Sequence, residues 1–278
     1  KLSNFFKIDV SALVASEASA FHLKANMKNT LVIAIAQSGT TKDTNVFVEM
    51  ANLRGASTIC LLNKRNGDIS YLCDSTLYLG NGRDIEISVP STKTYIAHIV
   101  LGYILTNYIL LKILKKNLKL NNEINKEILE IKKIPLVINQ TLKNFSSFSK
   151  KIKYNEIIKK KNWYVVYDNK NSYFSSREIR IKLSECCYKT LPCIDIKDFK
   201  LSNSRNSLVI IIVNDNSLKN IKKIEKMSNN NSLILTIGPN EILKKINKSS
   251  NIYQIKNPIF SNKFNIISSA INGQLLSF

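Results

Sequence analysis

Residues 31–44 read LVIAIAQSGTTKDT, and this stretch decides the fold. The apolar run from Leu31 to Ala36 predicts a buried strand of a parallel sheet, and a helical pattern begins at about Asp43. A turn rich in hydroxyl groups lies between them. Free N–H groups and the dipole at the start of a helix favour a bound anion, and Gly39 lets the backbone turn tightly. Together the strand, turn and helix predict a phosphate-binding site.

The same alternation of strands and helices continues along the chain. In the first part we predict strands at 57–62 and 75–79 and helices at 43–54 and 92–116. In the second part we predict strands at 163–167, 208–213, 232–237 and 252–255, helices at 175–189, 217–227 and 262–276, and a turn at Gly238-Pro239. Such alternation predicts βαβ units, mostly parallel sheets and right-handed crossovers.

Two domains joined by a basic helical segment account for this order. The first domain is predicted at 1–116 and the second at 162–278. Residues 117–161 are read as connecting helices, which Pro135 interrupts. The two halves have a similar order of elements, which suggests two copies of one architecture, although their direct sequence identity is weak.

The net charge of +21 raises the question of nucleic-acid binding, and its distribution argues against it. Residues 1–100 hold 10 basic and 8 acidic residues, whereas residues 101–278 hold 31 and 12. The excess is mostly lysine scattered among Asn and Ile, while nucleic-acid sites concentrate charge and interleave arginine and aromatic side chains. We interpret it as the composition bias of an AT-rich genome, with a binding face as the alternative.

The cysteines and the N-terminus indicate a cytoplasmic protein. The five cysteines form no CxxC pair, and His22 and His98 are the only histidines, so metal-site spacing is absent. We expect reduced core thiols, and residues 1–10 lack the apolar segment of a signal peptide. The apolar stretch 96–114 could pass for a membrane span, but its polar interruptions favour a buried helix packed on a sheet.

Three segments of the first domain carry a resemblance to a known family. They are residues 37–44 (QSGTTKDT), 54–63 (RGASTICLLN) and 86–95 (EISVPSTKTY). In this order and spacing they resemble the sugar isomerase (SIS) domain, and more closely the isomerase half of the glutamine–fructose-6-phosphate aminotransferases. The last segment is similar to that family's E-x-G-V-A-S-T-K-A-F signature. The resemblance implies two tandem SIS-type domains, each a three-layer α/β/α sandwich.

The resemblance also implies a sugar-phosphate site in the first domain. Gln37, Ser38 and Thr41 would hold the phosphate, and Val89 and Ser91 would line the sugar. The anion site agrees with what the residues themselves indicate, while the sugar is implied by the resemblance alone. The alternative for the hydroxyl residues is simple capping of helix N-termini, worth about 1 kcal/mol per cap.

The second domain resembles the family less closely. Glu178, Lys182 and Glu185 can be aligned with its E-G-A-L-K-L-K-E helix. The resemblance implies that Glu185 is the base that moves a proton between C1 and C2 of the open-chain sugar, with Lys182 assisting. The two residues are three apart and share a helical face, where a carboxylate of suitable pKa can act as a base. The alternative is an exposed i,i+3 salt bridge of little energetic value.

Several positions depart from the family pattern. Ala36 stands where a phosphate-binding Ser is usual, Ile179 replaces a helix glycine, and residues 168–170 replace a glycine-rich turn. The family's His in an H-G-P-L segment and its ring-opening Lys in a C-terminal A-K-S-V motif have no counterpart, and the opening strand and the glutaminase domain are missing. We therefore expect a fragment of a longer polypeptide or a decaying gene product.

The resemblance therefore implies the isomerase module of a glutamine:fructose-6-phosphate amidotransferase, which makes glucosamine 6-phosphate from fructose 6-phosphate. The resemblance implies no cofactor, a homodimer, and ammonia from a glutaminase domain on the missing N-terminal part or on another chain. One alternative is a non-catalytic sugar-phosphate sensor, which the lost His and glycines favour. Another is a binder of nucleic acid or an acidic partner, but no helix-turn-helix, zinc-finger or RRM pattern supports it. Neither nucleic acid nor membrane is expected as a partner.

Overall fold

The chain forms two compact units, Lys1–Ile128 and Leu129–Phe278. This architecture comes from a computed structural model. The residues that it describes are 2, 8–80, 82, 86, 90–114, 118–214, 216–247, 249–261 and 263–278. Both units are α/β with parallel sheets, which confirms the predicted fold class.

Unit 1 is built on a parallel sheet with the strand order β1-β2-β3. Its described elements, in chain order, are α1 (Ala15–Phe21), β1 (Leu31–Ala36), α2 (Lys42–Leu53), β2 (Ser57–Leu62), α3 (Ile69–Leu72), β3 (Ser75–Tyr78) and α4 (Lys93–Ile113). All three strands run in the same direction, so their carboxyl ends lie along one edge of the sheet, as do the starts of the helices that follow them.

Burial in unit 1 is less complete than the sequence predicted. Val32, Ala34 and Ala36 are buried, whereas Leu31 and Ile35 on the other face of β1 are exposed. The prediction of a strand buried on both faces is wrong because β1 lies at the edge of a narrow sheet among the described strands.

The long apolar helix α4 is also more exposed than predicted. Its buried residues are Thr94, Asn107 and Leu110, so the expectation of a buried helix is wrong. Three strands span about 10 Å, whereas a helix of 21 residues is about 31 Å long and reaches beyond the sheet. Among the described residues it is the one helix long and apolar enough to cross a membrane, a test that the core helix of a soluble protein also passes.

Unit 2 is built on a five-stranded parallel sheet with the order β5-β4-β6-β7-β8. The helix α5 (Leu118–Ser149) contains the boundary between the units, and the segment 117–161 holds α5 and α6. The elements after α5 are α6 (Tyr154–Ile158), β4 (Asn162–Tyr167), α7 (Lys170–Cys187), β5 (Cys193–Asp195), a 3₁₀ turn (Leu201–Ser204), β6 (Ser207–Ile212), α8 (Leu218–Ser228), β7 (Leu233–Pro239), α9 (Asn240–Leu243), β8 (Ile252–Asn257) and α10 (Asn265–Leu276).

Alternating strand residues give unit 2 its layers. Val165 and Ile210 belong to the core cluster on one face of the sheet, together with Leu183 of α7. Val209 faces the opposite cluster, which includes Ile224 of α8. Because successive side chains of a strand point to opposite faces, the apolar runs predicted as strands bury both sides of the sheet. Unit 2 is therefore a three-layer α/β/α sandwich, as predicted.

Two breaks expected from prolines are absent. β7 continues through Gly238 to Pro239, so the predicted turn at these residues is wrong; Pro239 is the last residue of the strand, where its missing N–H costs little. α5 continues through Pro135, because the burial of Ile134 and Val137 on either side outweighs the loss of a helical hydrogen bond.

Candidate functional site

The turn between β1 and α2 is fixed by backbone contacts at the carboxyl edge of the sheet. The Gln37 carbonyl accepts a hydrogen bond from Lys64 N at 3.1 Å, and the Gly39 carbonyl accepts one from Ile69 N at 3.0 Å. Gly39 has a φ of 74°, and a Cβ there would lie 3.0 Å from the Cα of Gly67. Only a glycine fits this conformation and this close approach.

The hydroxyl groups of the turn leave the start of α2 open. Ser38 Oγ and Thr40 Oγ1 are 2.9 Å apart, and Ser38 Oγ also accepts from Thr40 N at 3.3 Å. Thr41 is the N-cap of α2, all of whose residues are described, and its side chain does not cap the helix. Because Thr40 and Thr41 are exposed, the positive end of α2 is accessible to an anion.

His98 of α4 contacts the end of β2. Its Nε2 is 3.1 Å from the Leu61 carbonyl oxygen, to which it donates in the Nε2–H tautomer. Burial lowers the pKa of His98, and backbone hydrogen bonds to Leu61, Thr94 and Ala36 together with the charge of Glu86 only partly offset it. The ring is therefore neutral at pH 7 and holds the second turn of α4 against the end of β2.

Glu86 caps the start of α4 with its carboxylate. Oε1 accepts hydrogen bonds from Thr92 N at 2.8 Å, from Thr92 Oγ1 at 3.2 Å and from Thr94 N at 3.2 Å, and Oε2 accepts one from Thr94 Oγ1 at 2.7 Å. Ser91 donates to the same carboxylate. Burial alone would raise the pKa of Glu86, but these hydrogen bonds outweigh it and lower the pKa to about 2.

We expect Glu86 to make the stability of unit 1 depend on pH between about 4.5 and 2. Because the folded pKa lies below the ordinary value of 4.5, the carboxylate contributes stability above that pH, and the contribution is lost as the pH falls towards 2. Acid titrations of the free energy of unfolding, followed by circular dichroism, should be steeper for the wild type than for Glu86→Gln. Glu49→Gln, on the exposed side of α2, should keep the wild-type slope. Parallel curves for the wild type and Glu86→Gln would contradict this assignment.

The predicted sugar-phosphate residues thus lie along one edge of unit 1, as far as they are described. Gln37, Ser38 and Thr41 form the turn after β1, and Ser91 lies beside Glu86 at the start of α4. Val89 lies outside the described residues. The predicted roles of these residues stay predictions.

In unit 2 the helix that carries the predicted catalytic pair begins earlier than expected. We predicted Ser175 as its first residue, and it begins at Lys170. Asn169 is the N-cap: its Oδ1 accepts from Asn171 N at 2.9 Å and from Ser172 N at 3.0 Å, while Ser172 Oγ accepts from Asn169 N at 3.0 Å. This capping box sets the helical phase of all residues downstream.

Lys182 and Glu185 form an ion pair on α7. Lys182 Nζ lies 2.7 Å from Glu185 Oε2, and the exposed side-chain fractions are 5% and 36%. Glu178, one turn before Lys182, is also buried, and its Oε1 accepts from Gln274 Nε2 at 2.9 Å. The pair is therefore not the fully exposed salt bridge considered as the alternative. A buried ammonium holds an accessible carboxylate in a defined position.

Two residues of the site were missed by sequence reasoning. Glu86 was only the first letter of a matching segment, and nothing in the sequence indicates that its carboxylate caps α4. His98 was considered only as a metal ligand. Among the described residues no group of three or more His, Cys, Asp or Glu could hold a metal ion. All five cysteines are free thiols.

The sequence similarity to known proteins is clearest in the first unit. Residues 4–108 match the family model described as the SIS domain. A glutamine–fructose-6-phosphate aminotransferase (isomerizing) of Helicobacter pylori is 39% identical over 103 residues, which are 37% of this chain and 17% of that protein. The corresponding enzyme of Sulfurisphaera tokodaii is 27% identical over 249 residues, which are 86% of this chain and 39% of that protein. The chain thus spans well under half the length of these curated relatives.

Comparison with solved structures extends the similarity to both units. The C-terminal domain of glucosamine-fructose-6-phosphate aminotransferase from Francisella tularensis has a TM-score of 0.81 at 21% identity, covering 99% of this chain and 77% of that one. Tagatose-6-phosphate ketose/aldose isomerase from Escherichia coli has a TM-score of 0.66 at 12% identity, covering 99% and 76%. Residues 4–108 therefore match the SIS domain in sequence, and the whole chain has the SIS fold of the C-terminal domain of the aminotransferase.

Proposed function

We propose that this chain is the isomerase module of an amidotransferase that makes glucosamine 6-phosphate, and that unit 1 binds the phosphate of fructose 6-phosphate. The observation that carries the proposal is the open start of α2 beside the hydroxyl groups of Ser38 and Thr40. First-turn N–H groups, the helix dipole and hydroxyl donors together suit a phosphate dianion. The sequence similarity of residues 4–108 to SIS domains supports a sugar as the molecule that carries this phosphate group.

Calorimetry with fructose 6-phosphate tests the binding step. We expect the wild type to bind the phosphate ester and not free fructose. Ser38→Ala combined with Thr41→Val removes two hydroxyl donors and should weaken binding by at least about tenfold, since each hydrogen bond to a charged group contributes about 1.5–3 kcal/mol. Ser57→Ala, exposed at the opposite end of β2, is the matched control. If the wild type fails to bind fructose 6-phosphate, the proposal is wrong.

For the chemical step we propose Glu185 as the base and Lys182 as the residue that positions it. Ammonia adds at C2 of the open-chain sugar, and the C2 oxygen leaves as water. Glu185 then takes a proton from C1 while the imine nitrogen gains one, which gives a C1=C2 enolamine. It returns its proton at C2 as the C1 hydroxyl group releases its own proton, so that C2 carries an amine and C1 becomes an aldehyde. The ion pair at 2.7 Å supports this role because it fixes a carboxylate that remains partly accessible.

The proposal includes partners and a location. A glutaminase domain, on the same polypeptide or on another chain, would release the ammonia, and the module would act as a cytoplasmic homodimer. Light scattering of the purified chain tests the dimer, and glutamine-dependent synthesis of glucosamine 6-phosphate after addition of a glutaminase tests the source of ammonia.

A non-catalytic sugar-phosphate sensor is the second candidate. The observation that favours it is the side chain at position 179. The resemblance places a helix glycine there, and this chain has a fully buried Ile179 six residues before Glu185. A sensor would bind fructose 6-phosphate without exchanging its C1 proton. The exchange experiment described in the Discussion separates the two candidates.

A further inference from the structure

We propose that Asn66 is a site of spontaneous deamidation, and that its isoaspartyl product loosens the turn between β1 and α2. The reaction needs no enzyme and no cofactor, only the side chain of an asparagine and the backbone nitrogen of the next residue. Its effect on fructose 6-phosphate rests on the proposed function, whereas the modification and its effect on the turn do not.

Asn66 is exposed, has a φ of 61° and is followed by glycine. Within the described part of the chain, no residue bonds to the Asn66 side chain or accepts a hydrogen bond from Gly67 N. Glycine also has no Cβ to hinder the approach of its nitrogen to the side chain of the asparagine. The amide carbon of Asn66 and the nitrogen of Gly67 are therefore free to react with each other.

The chain contains two other Asn-Gly pairs, and each is restrained by a hydrogen bond. In the first, Gly82 N donates to the Leu79 carbonyl at 2.9 Å, which occupies the nitrogen that would attack. In the second, Asn272 is fully buried in α10 and its Nδ2 donates to Asn257 Oδ1 at 2.9 Å. This buried pair is an internal control with the same two residue types.

The reaction consumes one water molecule and releases ammonia. Gly67 N loses its proton to hydroxide and attacks Cγ of Asn66. The new C–N bond closes a succinimide ring, and the side-chain nitrogen takes a proton from water and leaves as ammonia. Water then opens the ring at one of its two carbonyl groups. Opening at the former backbone carbonyl gives isoaspartate, in which the chain runs through the former side chain, and opening at the other gives aspartate.

The segment 64–69 is anchored to the turn on both sides of this site. Lys64 N and Ile69 N donate to carbonyl groups of the turn at 3.1 and 3.0 Å. Between them Gly67 packs so closely against the turn that a Cβ there would overlap the carbonyl oxygen of Ser38. The backbone between the two anchors is therefore held at a fixed length.

Isoaspartate at position 66 adds one atom to this backbone, about 1.5 Å of extra chain. The hydrogen bonds of Lys64 and Ile69 and the close packing of Gly67 then cannot all persist. The product also carries a negative charge that asparagine lacks, in a segment that contacts the proposed phosphate site. Because like charges repel, this charge weakens the binding of a phosphate ester.

Ageing of the purified chain in mildly alkaline buffer tests the modification. Peptide mapping by mass spectrometry, with fragmentation that distinguishes isoaspartate from aspartate, measures it at each Asn-Gly pair. We expect at least about tenfold more conversion at Asn66 than at Asn272, whose reaction requires α10 to open. Asn66→Gly removes the side-chain amide and suits a positive φ, so it is the matched variant that cannot react.

Hydrogen exchange monitors the turn without a ligand. The isoaspartyl form, separated by ion exchange through its added charge, should exchange the amides of Lys64 and Ile69 at least about tenfold faster than the unmodified chain. It should also bind fructose 6-phosphate at least about tenfold more weakly. Asn66→Gly, aged in the same way, should show neither change. Fresh Asn66→Asp supplies the charge without the extra backbone atom and should keep the slow exchange.

Conversion at Asn66 that is no faster than at Asn272 would overturn the proposal. So would an isoaspartyl form with unchanged amide exchange or unchanged affinity, or fast exchange in fresh Asn66→Asp. If Asn66→Gly fails to fold, the fresh wild type serves as the reference for the aged one. Failure of the unmodified chain to bind fructose 6-phosphate would instead reject the proposed function, and the mapping and exchange measurements would still decide the inference.

Discussion

Replacing Glu185 with Gln should slow exchange of the C1 proton of fructose 6-phosphate with solvent by about 10²–10⁴-fold, the usual contribution of a positioned general base. The amide keeps the size of the side chain and can still accept from Lys182 at 2.7 Å, but it cannot take a proton. Exchange into deuterated water, followed by NMR, measures the rate directly. Affinity for fructose 6-phosphate should be unchanged, since the residue is assigned to the chemical step.

The chain offers a matched control for this substitution. Lys153 and Glu156 form another i,i+3 pair, with a distance of 3.2 Å and exposed side-chain fractions of 71% and 45%. Glu156→Gln removes a carboxylate of the same kind and should leave exchange unchanged. Exchange at the wild-type rate in Glu185→Gln would refute its role as the base, whereas binding without exchange in the wild type would support the sensor.

Gly273→Ala should destabilise unit 2 by about 2 kcal/mol, although alanine is normally the better helix former. A Cβ on Gly273 of α10 would meet the side chain of Ile179 of α7, with Cδ1 at 2.6 Å and Cβ at 3.0 Å and Cγ1 closer still. Both residues lie in the core, so neither helix can move away without opening the packing. Chemical denaturation with a probe in unit 2, such as the fluorescence of Trp163, measures the loss.

A double-mutant cycle tests the cause of this loss. Ile179→Ala alone leaves a cavity and should cost about 2–4 kcal/mol, and the double variant with Gly273→Ala should be more stable than the sum by at least about 1 kcal/mol. Gly102→Ala in α4 is the control, since its Cβ would meet nothing within 4 Å, and it should be neutral or stabilising by up to about 1 kcal/mol. Additive losses would show that Ile179 is not what excludes a side chain at 273.

This pair also explains a departure from the family pattern. The resemblance places a glycine at 179, and this chain has isoleucine there with a glycine on the facing helix. In this chain the side chain of Ile179 occupies the space that Gly273 leaves between α7 and α10. Such complementarity belongs to the packing of two helices distant in sequence, and no motif of either segment reveals it.

The strands and helices were predictable where the apolar pattern of the sequence and the local residue types indicate the same element. β6 holds five consecutive apolar residues and β2 holds four, and both strands were predicted to within one residue. β5 was missed because Cys193–Asp195 is too short to show a periodicity, and it is defined by its pairing with β4. The early start of α7 had a local signal, the Asn169–Ser172 capping box, which the apolar periodicity alone did not reveal.

The site was predictable only in its local part. The turn between β1 and α2 could be predicted from a few adjacent residues because strand, glycine and hydroxyl groups are contiguous. The carboxylate of Glu86 at the start of α4 depends on a loop that returns to the helix, and the burial of Lys182 depends on how its helix packs. Both properties arise from tertiary contacts, which a single sequence does not display.

The central position of β6 has a consequence for the thermal unfolding of the protein. β6 pairs with both β4 and β7, and all six of its side chains are buried. Its amide hydrogens can reach solvent only when the whole sheet of unit 2 opens, so their protection reports global unfolding of that unit. β1 has a single described neighbour and an exposed face, and its amides can exchange through local fraying. We therefore expect heating to expose the amides of β1 in unit 1 before those of β6 in unit 2, which also holds Lys182 and Glu185.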